Sequence, residues 1–163
     1  ALAAQVRMQG LTPSQQQRLE AALDRWFASA VAQRLVAFGA PQAEVPFMVC
    51  LGMAAGAVYL EGEIDVVSFD EDGSAFLVDY KTGGSPEESA ARVYGKHLLQ
   101  AQCYALALLA KGAPAVTATF VRVEQESARD GSQPQTVEYS FTQEDWGVLE
   151  QAVLSAYAQS LSA

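Results

Sequence analysis

Basic residues are scarce in this chain: ten Lys plus Arg stand against nineteen Asp plus Glu, a formal net charge of −9 over 163 residues. That balance excludes a protein that grips nucleic acid by bulk electrostatics alone. A nucleic-acid role would need a local basic or metal-bearing site, or another domain that does the gripping. Cysteine is equally scarce. Cys50 and Cys103, the only two, lie far apart in apolar settings, which excludes a CxxC pair and a disulfide framework and suggests buried free thiols. No apolar run is long enough to span a membrane, and Ala1 to Gly10 lacks the basic start and apolar stretch of a secretory signal. A cytoplasmic protein without a membrane partner is expected. There is no GxxxxGK[ST] motor motif, no internal repeat and one histidine, His97.

What is present is a globular composition, 50% hydrophobic and 18% charged, of a size that suits one domain over residues 1–163. Thr12-Pro13-Ser14-Gln15 and Ser85-Pro86-Glu87-Glu88 each offer a capping hydroxyl, a first-turn proline and an acceptor three residues on, so helices should start there. The first helix is expected to carry Leu19, Leu23, Trp26, Phe27, Val31 and Leu35 and to stop near Gly39-Ala40-Pro41. The second is expected to end at Lys111-Gly112. Thr142 with Asp145 opens a third, carrying Trp146, Leu149, Val153 and Tyr157 on one stripe.

Between them, Val45 to Leu51, Ala57 to Phe69 and Ser74 to Lys81 are rich in β-branched and aromatic residues and are parted by glycine turns. Ala115 to Val123 and Thr136 to Phe141 flank a polar loop, Glu124 to Gln135. The expected order is helix, three strands, helix, two strands, helix.

Asp70-Glu71-Asp72-Gly73 reads as a hairpin turn. In the favoured register Asp65 faces Asp79, with Lys81 projecting from the same face and Glu63 opposite it; a slip of one residue would set Asp65 against Val78. Two opposed carboxylates repel unless something positive sits between them, and hard oxygen ligands suit Mg²⁺ or Mn²⁺. Such a group serves phosphodiester hydrolysis, with lysine stabilising developing charge. The plainer reading of the triplet alone is a surface hairpin with ordinary salt bridges. Arg92, Lys96, Gln100 and Tyr104, spaced by four, form a polar line on the second helix that is either solvated or turned toward phosphate. Around Gln100 and Tyr104 the neighbours are apolar, so those two need partners. His97 is expected to be a half-buried helix residue.

Gly62-Glu63-Ile64-Asp65, Asp79-Tyr80-Lys81-Thr82 and Gln100-Ala101-Gln102-Cys103-Tyr104 resemble, in order and spacing, the GxID, DYKT and QxxxY motifs of RecB-type nuclease domains of the PD-(D/E)XK superfamily. Glu44-Val45-Pro46-Phe47 is similar to the strand that often precedes them. The resemblance implies an α/β restriction-endonuclease-like αβββαβ core, a central mixed sheet flanked by helices. It further implies a Mg²⁺- or Mn²⁺-dependent exodeoxyribonuclease acting on DNA in double-strand-break repair. By this likeness Asp65, Asp79 and the Tyr80 carbonyl hold the metal, Lys81 is the catalytic lysine, and Gln100 and Tyr104 shape the site and contact DNA.

The implied setting is the C-terminus of a UvrD-like helicase-nuclease of the RecB or AddA kind, with the motor in the same polypeptide and a partner subunit allowed for. The family's G-x-x-x-H histidine is not matched by His97, which follows the lysine motif; that histidine is expected upstream of Ala1. Iron-sulfur relatives need four cysteines, so no cluster is expected. A catalytically silent nuclease-fold scaffold or DNA-guiding module is the alternative, and a free-standing phage-type exonuclease a third.

Overall fold

In a computed structural model that describes residues 10–52, 56–83, 85, 88–127 and 129–162, five strands form one mixed sheet. They are β1 (Gln42–Leu51), β2 (Val58–Phe69), β3 (Ala75–Lys81), β4 (Ala115–Glu126) and β5 (Pro134–Thr142), and they lie in chain order across the sheet. Only β3 and β4 run parallel. A parallel step requires a crossover, and a long helix, α3 (Ala90–Ala110), supplies it. The remaining helices are α1 (Pro13–Phe27), α2 (Ala30–Phe38) and α4 (Trp146–Ser160).

Helices α1, α2 and α3 each begin where a side chain satisfies a free N–H group. Thr12 and Gln15 form a reciprocal capping box, with Thr12 N donating to Gln15 Oε1 at 2.9 Å. The single helix expected as far as Leu35 is in fact two. Ser29, fully buried, accepts from the Ala32 N–H at 3.1 Å and starts α2, while its own N–H turns back to Trp26 O. A serine able to cap competes with helix continuation. The apolar spacing bridges the break because Trp26 and Leu35 pack into one core.

Helix α3 starts later than expected, at Ala90, where Ser89 Oγ accepts from Arg92 N; Pro86 and Glu87 of the expected start lie outside the described residues. It ends as expected, at Lys111 followed by Gly112 with φ +98°. Thr142 and Asp145 cap a 3-10 turn (Gln143–Asp145) that leads into α4, whose buried stripe is Leu149 and Val153 while Tyr157 is exposed. The polar loop is shorter than expected, because β4 and β5 pair again at Glu126 and Pro134 after a register shift beyond Arg122. Both cysteines are free and half-buried rather than buried. Among the described residues no helix is long and apolar enough to cross a membrane.

Both sheet faces are covered. Leu77, Ala75, Val116, Ala118 and Phe120 join Ala101, Ala105, Leu108, Leu149 and Val153 of α3 and α4 in the larger core. Phe76, Val78 and Val121 meet Trp26 and Leu35 of α1 and α2 on the other face. Along β3 this alternation sends Asp79 and Lys81 toward α3 and Tyr80 toward α1, where its ring meets Trp26 edge-on at 5.0 Å.

The β2–β3 register is the favoured one, with Val66 opposite Val78 and Phe69 opposite Ala75. The ladder stops at Val66–Val78, one step short of Asp65 and Asp79. There β2 stays paired with β1, and β3 continues beside β4 as far as Lys81–Arg122. The strands therefore fork. Strict alternation also slips at this point: Ile64 packs in the larger core and Val66 in the other, and Glu44, level with Asp65 on β1, has φ +53°. Irregularities of this kind re-aim a side chain. Glu63 pairs with Pro46 and is exposed. Among the described residues no ion pair joins it to Lys81, contrary to the expectation from an unbroken hairpin.

Candidate active site

Asp79 is only 2% exposed, and a buried carboxylate is tolerated only when its lone pairs are engaged. Its Oδ2 accepts from the Tyr104 hydroxyl at 2.8 Å and from Gln100 Nε2 at 3.0 Å. Gln100 Oε1 in turn accepts from Lys81 Nζ at 2.9 Å, so the amide is fixed by donors and acceptors on both ends. Lys81 Nζ lies 2.6 Å from Asp79 Oδ1. That contact is off the hydrogen-bonding direction, and Oδ1 is a buried oxygen without a hydrogen bond. A cation already stands at this oxygen, so Oδ1 is the atom of Asp79 that a metal would share with Lys81 or take from it.

Asp65, half-buried, stands across the fork. Its Oδ2 accepts from the Tyr80 N–H at 2.8 Å, so a side chain takes over the backbone group that the ended ladder leaves unpaired. Its charge is felt at both tyrosines. Burial, and then Asp65, push the Tyr80 phenol up to about 12. Burial foremost, then Asp79 and more weakly Asp65, hold the Tyr104 phenol well above its ordinary value. Tyr104 therefore stays a proton donor to Asp79 at any physiological pH.

Asp79, Lys81, Gln100 and Tyr104 come together in one network, and Asp65 borders it through the Tyr80 N–H. The helical line runs from exposed Arg92 and Lys96 through half-buried Gln100 to buried Tyr104. Its inner half serves the site and its outer half reaches the surface. Tyr80 contributes an N–H to Asp65 and its ring to the opposite core, and the Tyr80 carbonyl is part of the strand paired with β4. Phe47 of β1 packs its ring edge-on against Tyr104 at 5.9 Å. A Cβ on Gly62 would come within 2.8 Å of that ring, which gives the glycine of the first motif a packing reason.

Sequence reading missed three neighbours. Phe120 forms the floor, stacked on His97 at 5.0 Å and lying 5.3 Å from Lys81 Nζ. Arg122 and Glu88 form an ion pair of 3.2 Å beside it. A hint was available for Arg122: it continues the row Val116, Ala118, Phe120 on the buried face of β4. His97 is more deeply placed than expected, 8% exposed.

Burial first, then Lys81 and Lys96, depress the His97 pKa below its ordinary value. The unfolded chain therefore binds this proton more readily than the folded one. Stability should be full above pH about 6.5 and decline as pH falls through the lower folded value. A proton NMR titration checks this: the His97 ring midpoint should lie below that of a free histidine.

The fold and these residues define a class: an α/β protein with two aspartates and a lysine beside the fork between β2 and β3, carboxylate oxygens of the kind that hard divalent cations take. Comparison with known families agrees. The family described as PD-(D/E)XK nuclease superfamily matches residues 2–163, and the chain belongs to it; the sheet and flanking helices are its restriction-endonuclease-like core. A solved structure described as "Crystal structure of SSO0001" is similar at 13% identity and a TM-score of 0.44, covering 89% of this chain and 62% of that one. The chain thus spans less than two thirds of that structure's length. No curated protein matches.

Proposed function

We propose that this chain is a divalent-metal-dependent deoxyribonuclease domain of the RecB type, an exonuclease module of a helicase-nuclease that processes double-strand breaks. The observation that carries the metal is the buried, unbonded Oδ1 of Asp79 with Asp65 across the fork. Asp65 and Asp79 would hold Mg²⁺ or Mn²⁺, with the Tyr80 carbonyl as a further oxygen. When bound, the ion supplies Lewis acidity toward the phosphodiester.

The chain's own groups do the rest. Lys81, released from Asp79 once another cation offsets that carboxylate, is free to turn its ammonium to the phosphate and stabilise charge developing there. Gln100 and Tyr104 keep Asp79 in one orientation by bonding Oδ2, which would leave Oδ1 to Lys81 or to the metal. DNA delivered by a motor in the same polypeptide would not need a basic surface on this domain, which accommodates the net charge of −9.

The second reading, a silent nuclease-fold scaffold, has one observation in its favour. Among the described residues no group of three or more His, Cys, Asp and Glu side chains is gathered for a metal. Calorimetric titration with Mn²⁺ separates the two. Wild type should bind, and Asp79→Ala and the shape-conserving Asp79→Asn should not, while both stay folded by circular dichroism. Identical titrations of all three would sink the metal site.

A further inference from the structure

Lys81 borders two spaces. One is the fork with Asp65 and Asp79. The other is a recess of 280 Å³ lined by Lys81, Thr82, Gly83, Lys96, His97, Gln100 and Arg122. Among the described residues no carboxylate lines it. In a chain with ten Lys plus Arg against nineteen Asp plus Glu, that concentration of positive charge calls for a reason.

Two carboxylates stand near these cations: Asp79, whose Oδ1 is 2.6 Å from Lys81 Nζ, and Glu88, on the segment between β3 and α3. Glu88 Oε2 lies 3.2 Å from Arg122 Nη2, but its Oε1 is 3.9 Å from both Arg92 Nε and Lys96 Nζ. Glu88 thus faces three cations, and two of its contacts are too long for hydrogen bonds. Arg122 is already engaged: it donates to Gln135 Oε1 at 2.6 Å and to the carbonyls of Gly83 and Ser85. Its charge is therefore a fixed feature of the wall. Lys96 is the looser one: its side chain is 55% exposed and, among the described residues, its ammonium pairs with Glu88 at 3.9 Å. A recess with a fixed guanidinium, a loosely held ammonium and surplus positive charge fits a tetrahedral oxyanion.

We propose that this recess is a phosphate subsite, taking the phosphate next to the one at Asp65 and Asp79, with Lys96 as its contacting cation and Glu88, outside the lining, as a carboxylate that competes with the phosphate for that ammonium. The proposal rests on the nuclease reading for its substrate, a DNA strand. Lys81, shared by both spaces, makes the two phosphate positions contiguous. The phosphate is either an internal diester or a terminal monoester, and the experiment distinguishes them.

Binding of a fluorescent single-stranded oligonucleotide to the whole chain is measured by anisotropy in EDTA, across a series of salt concentrations, with and without a 5′-phosphate. Lys96→Ala should weaken binding about tenfold and reduce the salt slope by about 0.7. Glu88→Gln, which keeps the shape and removes the competing charge, should tighten it. Lys111→Ala, at an exposed lysine elsewhere, is the control. If the 5′-phosphate tightens wild type but not Lys96→Ala, the subsite takes a chain end; if it changes neither, the subsite takes an internal diester.

The proposal is overturned if Lys96→Ala binds like Lys111→Ala, or if Glu88→Gln weakens binding. Because the measurement needs no metal, its failure is separate from failure of the Mn²⁺ titration. A chain that binds Mn²⁺ without a Lys96 effect keeps the metal site and loses the recess.

Discussion

Replacing Lys81 by methionine should lower metal-dependent cleavage of single-stranded DNA by about 10²–10³-fold while leaving Mn²⁺ affinity at or above that of wild type. The reason lies in the 2.6 Å contact between Lys81 Nζ and Asp79 Oδ1. Without a metal, the ammonium offsets a buried carboxylate; with one, both cations are drawn to the same oxygen. Removing the ammonium removes the competitor, so metal binding should not suffer, and only the charge facing the phosphate is lost. Methionine keeps the length of the stem packed near Phe120. Single-turnover cleavage with protein in excess, beside a calorimetric Mn²⁺ titration, reads the two effects separately. Cleavage at the wild-type rate would remove Lys81 from the chemistry, and joint loss of metal and cleavage would make it a structural residue.

Gly39→Ala should be the most damaging single substitution for stability, by about 3 kcal/mol or more. A Cβ at Gly39 would stand 2.0 Å from the Phe69 carbonyl oxygen and 3.0 Å from its carbon. Both are backbone atoms, so no side chain can turn aside. Gly39 ends α2 and Phe69 ends β2, the strand that leads into the hairpin before Asp79. The clash would thus pry a covering helix off the sheet at the turn end of β2, where Phe69 pairs with Ala75. Gly112 provides the contrast: it has φ +98° and nothing near its would-be Cβ, so its alanine variant should lose only the ~1–2 kcal/mol of a left-handed backbone. Urea unfolding of the three proteins ranks them, and a Gly39→Ala midpoint no lower than that of Gly112→Ala would contradict the account.

Much of this architecture was legible in the sequence because local chemistry and global fold agree in it. Thr12 with Gln15 and Thr142 with Asp145 announce helix starts that the structure keeps. The Asp70 to Gly73 turn pins the hairpin register, with Asp70 Oδ1 accepting from Asp72 N and Ser74 N. From that register the approach of Asp65 to Asp79 and Lys81 could be read.

Departures occur where tertiary packing decides. Ser29 breaks a helix that spacing would continue, because its hydroxyl is buried against the next turn. Glu63 faces no lysine, because the ladder ends before reaching it. Period-two counting assumes an unbroken ladder, and β2 slips at Asp65 itself. Arg122 and Glu88 escaped because their partnership joins a strand end to a segment 34 residues earlier in the chain, and no local pattern encodes it. The network of Gln100 and Tyr104 was anticipated only as a need for partners; that the partner is one carboxylate oxygen required coordinates.

The fork between β2 and β3 carries a mechanical consequence. A notch cut into the edge of a hydrogen-bonded lattice is braced by the strands on either side, so the spacing of its two acidic walls is a property of the sheet and not of a closing loop. Residues on strands are held more tightly than residues on loops. On the nuclease reading proposed above, the strands would make the cutting position ready in advance. Substrate selection would then fall to the outer turns of α3, where Arg92 and Lys96 are exposed, and could differ without moving the place where the bond is broken.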